Sequence, residues 1–348
     1  MSTYLEDVCA QAAELKAALK RYEEAGILKE IEKAGQAAFG KLIFSGMGSS
    51  HFCAIGAGIY LKQHGVDNQV ISTGELLYYE KECLTKDTLL VLVSQSGESA
   101  ETVRLIEKLP KDRMVVAVTN DENSTLAKRG QIVLPLYVRK EEAVTTRTYL
   151  ASVCLTMLLA AQFSGEGTAD MLTALYGAAE VLERALAEPE KLTDRLKPFL
   201  ENCTAPAVLG RGYSLGSVQA GALFLREIVK IPAMAFDEAE FKHGPLEMAE
   251  PGFRAVIFAP SGPGAKMNIA MAESIVEKGG MAVLITDEAG AVKERAGLFV
   301  IRLETVDEYL APLCQIVPVQ LLADCLAKRK GITAGKFRWG SKIMAKEA

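Results

Sequence analysis

Short, almost unbroken apolar runs punctuate the chain at 88–93 (T-L-L-V-L-V), 114–118 (M-V-V-A-V), 255–259 (A-V-I-F-A) and 281–285 (M-A-V-L-I). Runs this short and this apolar read as strands covered on both faces, and the helix-length stretches between them predict a parallel sheet wrapped by helices. Around these runs the pattern predicts a helical region over 5–33, helices over 51–63 and 171–195, and a final helix over 317–330. The longest apolar stretch, 150–163, has 14 residues and contains Ser152, Thr156 and Gln162. It is too short to span a bilayer and is expected to be a buried helix.

The pattern occurs twice. The turn in K-L-I-F-S-G-M-G-S-S pairs with A-V-L-G-R-G-Y-S, Gly48 matching Gly212 at an offset of 212 − 48 = 164. Ser96 pairs with Ser261 at 261 − 96 = 165, and Thr119 with Thr286 at 286 − 119 = 167. Near-constant offsets mean a duplicated domain. Each copy reads strand, helix, strand, helix, strand, helix, so the expected fold class is α/β: two tandem domains, each a parallel sheet between helical layers in a flavodoxin-like αβα arrangement. The expected boundaries are an N-terminal helical segment over 1–38, the first domain over 39–165, a connecting helix over 166–196, the second domain over 197–330 and a tail over 331–348.

Composition narrows the class without changing this plan. A chain of 348 residues suits two domains, and 49% apolar with 24% charged residues suits large buried cores. The net charge is -5 and the basic runs are as short as 328–330, which argues against a nucleic-acid partner. The N-terminus lacks a basic segment followed by an apolar one, so a cytoplasmic protein without a membrane partner is expected. Seven cysteines lie scattered with no C-x-x-C pair, and the three histidines, His51, His64 and His243, are far apart. Reduced thiols and no metal or other cofactor are expected.

Residues 91–102, V-L-V-S-Q-S-G-E-S-A-E-T, run from an apolar strand into a loop that opens a helix. Hydroxyls of Ser94, Ser96 and Ser99, the neighbouring Gln95, amides freed by Gly97 and the positive helix end can converge on one phosphate. A capped strand-to-helix turn uses similar residues but fewer hydroxyls. In the second copy the loop is A-P-S-G-P, which loses a hydroxyl and an amide donor, so one phosphate site per chain is expected, in the first copy. Ser49 and Ser50 after Gly48, and Thr145 in the run T-T-R-T, are further donors, although turn and cap chemistry accounts for them equally.

Acid-base groups fall in the second copy. Glu227 follows an apolar helical run containing Ala222, Leu223 and Leu225, where a carboxylate needs a task or a partner such as Arg226 or Lys230. His243 precedes a Gly-Pro turn in a stretch that reads as an insertion outside the repeat, and histidine is a residue type suited to carrying protons.

Taken together, S-Q-S-G-E-S-A-E-T, G-x-G-S-S, A-V-T-T-R-T, R-E…F-K-H-G-P-L-E and the tail G-S-K-I-M-A-K-E resemble the double sugar-isomerase (SIS) family from about Lys41 to Ala348. Within it the chain is similar to the isomerase domain of glutamine-fructose-6-phosphate aminotransferases, and F-K-H-G-P-L-E-M-A-E-P-G also resembles fructosamine-6-phosphate deglycases. The resemblance implies that Ser50, Ser94, Gln95, Ser96 and Ser99 bind a sugar phosphate, Ser99 standing where the family has threonine. Thr145 falls on a substrate-contact position that is serine in the aminotransferase. Glu227 matches the base that moves a proton between sugar carbons 1 and 2. His243 matches the ring-opening residue, which in the family comes from a neighbouring subunit and so implies a homodimer or higher oligomer. Lys342 matches a lysine that closes over the substrate and can form an imine.

The aminotransferase also carries an N-terminal glutaminase domain, whereas only about forty residues precede the first strand here, so glutamine hydrolysis is not expected of this chain. The implied activity is isomerisation, deamination or deglycation of an amino-sugar phosphate or fructosamine 6-phosphate. A sugar-phosphate sensor without catalysis, and an isomerase subunit served by a separate glutaminase, are the alternatives.

Overall fold

Ten strands form two five-stranded sheets, parallel throughout, in the computed structural model, which describes residues 2–141, 144–288, 290 and 292–339. The first sheet contains β1 (Lys41–Gly46), β2 (Asn68–Ser72), β3 (Thr88–Val93), β4 (Val115–Thr119) and β5 (Ile132–Pro135), in the order β2-β1-β3-β4-β5. The second contains β6 (Ala207–Gly210), β7 (Met234–Asp237), β8 (Arg254–Ala259), β9 (Met281–Thr286) and β10 (Leu298–Arg302), in the order β7-β6-β8-β9-β10. Counterpart strands begin at a constant spacing: 207 − 41, 234 − 68, 254 − 88, 281 − 115 and 298 − 132 are each 166. Both sheets therefore have the flavodoxin-like order, whose direction reverses between the first and third strands.

The central strands β3 and β8 are buried at every position, in keeping with the apolar runs that follow Thr88 and Arg254 at their starts. Each copy also has two strands beyond the three expected. These additional strands, β2, β5, β7 and β10, are the sheet edges, only four or five residues long and partly open to solvent. Polar residues such as Asn68, Gln69 and Asp237 break up their apolar pattern. The stretch around His243 is not an insertion. His243 comes after β7 and the short helix Glu238–Lys242, the counterparts of β2 and the helix Thr73–Tyr78, so its stretch belongs to the repeat.

The chain divides into two compact units. One comprises Ala13–Glu141 and Thr145–Tyr176 and holds the first sheet; the other comprises residues 2–12 and Gly177–Lys336 and holds the second. In the first unit the helix Arg147–Phe163 is buried along almost its whole length, and its hydroxyls bond to carbonyls: Ser152 donates to Thr148 at 2.8 Å and Thr156 to Cys53 at 3.1 Å. In the second unit the long helix is Ala311–Arg329, with Pro318 inside it. The span Glu308–Arg329 that includes it is long and apolar enough to cross a membrane, but 94% of its most apolar 18-residue stretch is buried inside the protein. The N-terminal helix Thr3–Cys9 belongs here: the Tyr4 hydroxyl donates to the Gln320 carbonyl at 3.2 Å, and Gln11 to Gln320 Oε1 at 2.8 Å.

Candidate functional site

In the first sheet Gly46 lies opposite Val93, so the turn 47–50 and the loop 94–99 leave β1 and β3 side by side at the point where strand order reverses. Two glycines shape these turns. A Cβ on Gly46 would lie 2.5 Å from the Ser50 carbonyl oxygen, and one on Gly97 would lie 2.1 Å from Ser124 Oγ. Gly97 also has φ +65°, which favours glycine. The close approach locks the loop to the next turn: Leu126 N donates to the Gly97 carbonyl at 3.2 Å, and Asn120 N to the Gln95 carbonyl at 2.9 Å.

Within the loop the hydroxyls form a local network. Ser94 Oγ accepts from Gly97 N at 3.2 Å and lies 3.4 Å from Ser99 Oγ, which donates to Thr102 Oγ1 at 2.7 Å. Ser96 Oγ accepts from Glu98 N at 3.2 Å. Ser99 is the N-cap of the helix Ala100–Lys108, yet its side chain makes no capping bond. Capping therefore does not consume the hydroxyls. Ser94 is buried, whereas Gln95, Ser96 and Ser99 remain half-buried, as does Ser50; Ser49 is buried and Gly48 exposed.

Two carboxylates that the sequence pattern did not single out hold this edge. Glu98 turns away from the loop and accepts from the Thr125 amide at 2.5 Å and its hydroxyl at 3.0 Å. Buried Glu141 takes the amides of Thr146 and Thr148 at 2.6 and 2.9 Å, and both hydroxyls as well. That clamp absorbs two of the three threonines of the run and leaves half-buried Thr145 beside it. An acid a few residues before a threonine run is the local signal that would have found Glu141.

The second copy has the same edge with different chemistry. The turns at Gly212 (φ +56°) and Gly262 (φ +149°) both face the Glu308 carboxylate: a Cβ on Gly212 would lie 3.7 Å from its Oε1, and one on Gly262 would lie 2.5 Å from its carboxyl carbon. The Ser261 amide donates to Asp287 Oδ1 at 2.6 Å. Burial first, and the Asp287 charge second, hold the Glu308 carboxyl above its ordinary pKa. Arg211 is drawn to Glu238 at 3.5 Å and to Asp237 at 3.9 Å. Carboxylates thus occupy the ground between these two turns.

Glu227 lies in a π-helical turn, Leu225–Val229, that extends the helix Leu215–Phe224 and ends at Lys230 in the left-handed conformation. Such turns re-aim side chains and are frequent at functional sites. Burial raises the Glu227 carboxyl pKa, and the opposing charges of Lys230 and Arg226 only reduce the rise. The Lys230 ammonium donates to the backbone carbonyl of Glu227. Tyr4, fully buried, lies close enough to feel the Glu227 charge; its phenol is held up by burial, then by Asp324, Glu227 and Asp7. His243 is exposed at the end of the helix Glu238–Lys242, its amide donating to the Glu240 carbonyl at 3.1 Å. Lys342 lies outside the described residues.

Known proteins match both copies. The SIS domain model matches residues 38–162 and again 200–326. The glutamine--fructose-6-phosphate aminotransferase [isomerizing] of Methanothermobacter thermautotrophicus is 26% identical over 340 residues, covering 95% of this chain and 55% of that protein. The chain spans about half the length of the curated relatives it matches. Among solved structures, the C-terminal domain of glucosamine-fructose-6-phosphate aminotransferase from Francisella tularensis superposes with a TM-score of 0.83 at 22% identity, covering 95% of this chain and 96% of that one. Glucosamine-6-phosphate deaminase from Thermotoga maritima gives a TM-score of 0.79 at 21% identity, covering 98% and 99%. With two domain matches on two sheets of identical order, the chain belongs to the SIS domain family as a double-SIS protein.

Proposed function

We propose that the protein is a phosphosugar enzyme of the isomerase type, acting on an amino-sugar phosphate or a fructosamine 6-phosphate as an isomerase, deaminase or deglycase. The turn Gly48, Ser49 and Ser50, the loop Ser94, Gln95, Ser96 and Ser99, and Thr145 hold the substrate and its phosphate. Glu227 takes a proton from one of carbons 1 and 2 and returns it to the other through an enediol or enolamine. His243, supplied by a second copy of the chain in a homodimer or higher oligomer, opens the sugar ring. Lys342 closes over the substrate and can form an imine with its carbonyl.

The observation that carries this reading is Glu227, a half-buried carboxyl on a π-helical turn whose burial outweighs two neighbouring cations. A base whose pKa is moved toward the working pH accepts a carbon-bound proton more readily and still releases it. Ligand binding alone gives no reason to bury that group. The test is incubation in heavy water with a panel of 6-phosphosugars and fructosamine 6-phosphates, following carbon-1 and carbon-2 protons and free amine by NMR. Exchange or amine release that disappears in Glu227→Gln supports the reading and names the substrate class. Tight binding without exchange across the panel overturns it in favour of a sensor. Because the matched relatives are about twice as long, co-purification with a glutaminase would instead identify an isomerase subunit of a glutamine-dependent aminotransferase.

A further inference from the structure

The helix Ala100–Lys108 begins at the serine loop and ends, near the N-terminal edge of the first sheet, against a groove of about 530 Å³. Pockets of this size take a small organic ligand. Leu77, Leu84, Leu105 and Leu109 form its apolar floor. Lys81, Lys108 and Arg113 supply three positive charges, and no carboxylate is among the described residues lining it. Tyr78 forms an aromatic wall, 48% exposed, with its ring fixed from two sides: Arg104 donates to its hydroxyl at 3.0 Å and the Lys108 ammonium lies 5.6 Å from the ring centroid.

Arg113 gives the groove its chemistry. Its side chain is only 6% exposed, and Nη2 donates to the Leu84 carbonyl at 3.1 Å. Nε and Nη1 are buried with no hydrogen-bond partner. A buried guanidinium that leaves two donors unanswered is costly unless an acceptor arrives. Asp87 feels the Arg113 charge, but its carboxylate is hydrogen-bonded to Thr85 at 2.6 Å and does not bond to the guanidinium.

We infer that this groove is a second ligand site, separate from the serine loop, for a phosphate or carboxylate carried on a planar ring. The anion meets Arg113 and Lys108, and the ring lies on the leucine floor beside Tyr78. A bare sugar phosphate leaves that floor unused, so the ring is what distinguishes this ligand from the one proposed for the loop.

Phenyl phosphate is the simplest probe carrying both halves, with phenol and inorganic phosphate as its separated parts. Calorimetric titration of the full chain should show phenyl phosphate binding at least about tenfold more tightly than either part, and weakened about tenfold or more in Arg113→Gln and in Lys108→Glu, each of which removes a charge-assisted contact. Lys108 is exposed, so its variant keeps the fold and tests the site independently of any damage from altering a buried arginine. Ser96→Ala should leave this affinity unchanged. Equal affinity in wild type and both charge variants, or loss of binding in Ser96→Ala alone, overturns the inference.

Discussion

The two sheets share strand order, parallel register and a constant 166-residue spacing, yet the turns at their order-reversal points carry opposite chemistry. In the first copy the turns after β1 and β3 present hydroxyls, and the nearby acid, Glu98, is tied to Thr125. In the second copy Glu308 faces both turns, Asp287 takes the Ser261 amide, and Arg211 is drawn to Asp237 and Glu238. Two like charges about 4 Å apart at a partly buried surface repel by about 4 kcal/mol, more than the roughly 1.5–3 kcal/mol that one hydrogen bond to a charged group returns. On this ground a phosphate is repelled from the second copy, and the phosphate site proposed above falls in the first. Duplication supplied two equivalent frames, and the position of a few carboxylates separates their uses.

The largest expected effect divides binding from chemistry. Glu227→Gln keeps the shape of the π-helical turn and removes the base, so turnover should fall by about 10²- to 10⁴-fold while phosphosugar affinity, measured by titration, stays within about twofold of wild type. A parallel loss of affinity would place Glu227 in binding instead. Next comes the loop: Ser96→Ala should weaken phosphosugar binding by about 10- to 100-fold, the worth of one hydrogen bond to an anion, with little change in turnover at saturation.

A stability comparison between the two edges should give about 1–3 kcal/mol, the usual cost of a non-glycine residue in a conformation that glycine favours. Both Gly97→Ala and Gly262→Ala place a methyl group against a neighbour, but the neighbours differ. At Gly97 it is Ser124, whose hydroxyl caps the helix Thr125–Arg129 and cannot move without losing that cap. At Gly262 it is the flexible Glu308 side chain. Adding Glu308→Ala should therefore recover part of the Gly262→Ala loss in a denaturation cycle, while Ser124→Ala should not restore Gly97→Ala. Additive losses at Gly262 would show that Glu308 is not what crowds that turn.

What the sequence made legible follows from burial. β3, β4, β8 and β9 are covered on both faces, so apart from Thr88, Thr119, Arg254 and Thr286 at their ends their residues are all apolar, and the helix Arg147–Phe163 is buried along almost its whole length. The serine loop was visible because its residues are consecutive. The edge strands were not, since a half-exposed strand of four or five residues has too little pattern to separate from a turn. The carboxylates that distinguish the copies act on distant partners, Glu98 on Thr125 and Glu308 on Gly262, and nothing local announces such pairings. The N-terminal helix is the extreme case: Tyr4 reaches Gln320 across 316 positions, placing residues 2–12 with the second sheet although they precede the first.

The smallest expected effect is thermodynamic, and it separates the two raised carboxyls, Glu227 and Glu308, from ordinary surface acids. Burial lifts each above the carboxyl value of 4.5 in the folded protein. The folded state then binds more protons than the unfolded one between 4.5 and the raised value, so stability falls as pH climbs through that window and the full penalty is present above it. Below 4.5 both states are protonated and the penalty vanishes. Glu227→Gln and Glu308→Gln carry no charge at any pH. Each should be more stable than wild type near neutral pH, with the advantage shrinking to nothing as the pH is lowered through the window, in chemical denaturation followed across pH. Lys230 and Arg226 offset part of the burial at Glu227, whereas Asp287 adds to it at Glu308. A pH-independent difference in either variant would assign the change to packing, and the pKa of that carboxyl would then be no part of what separates the two copies.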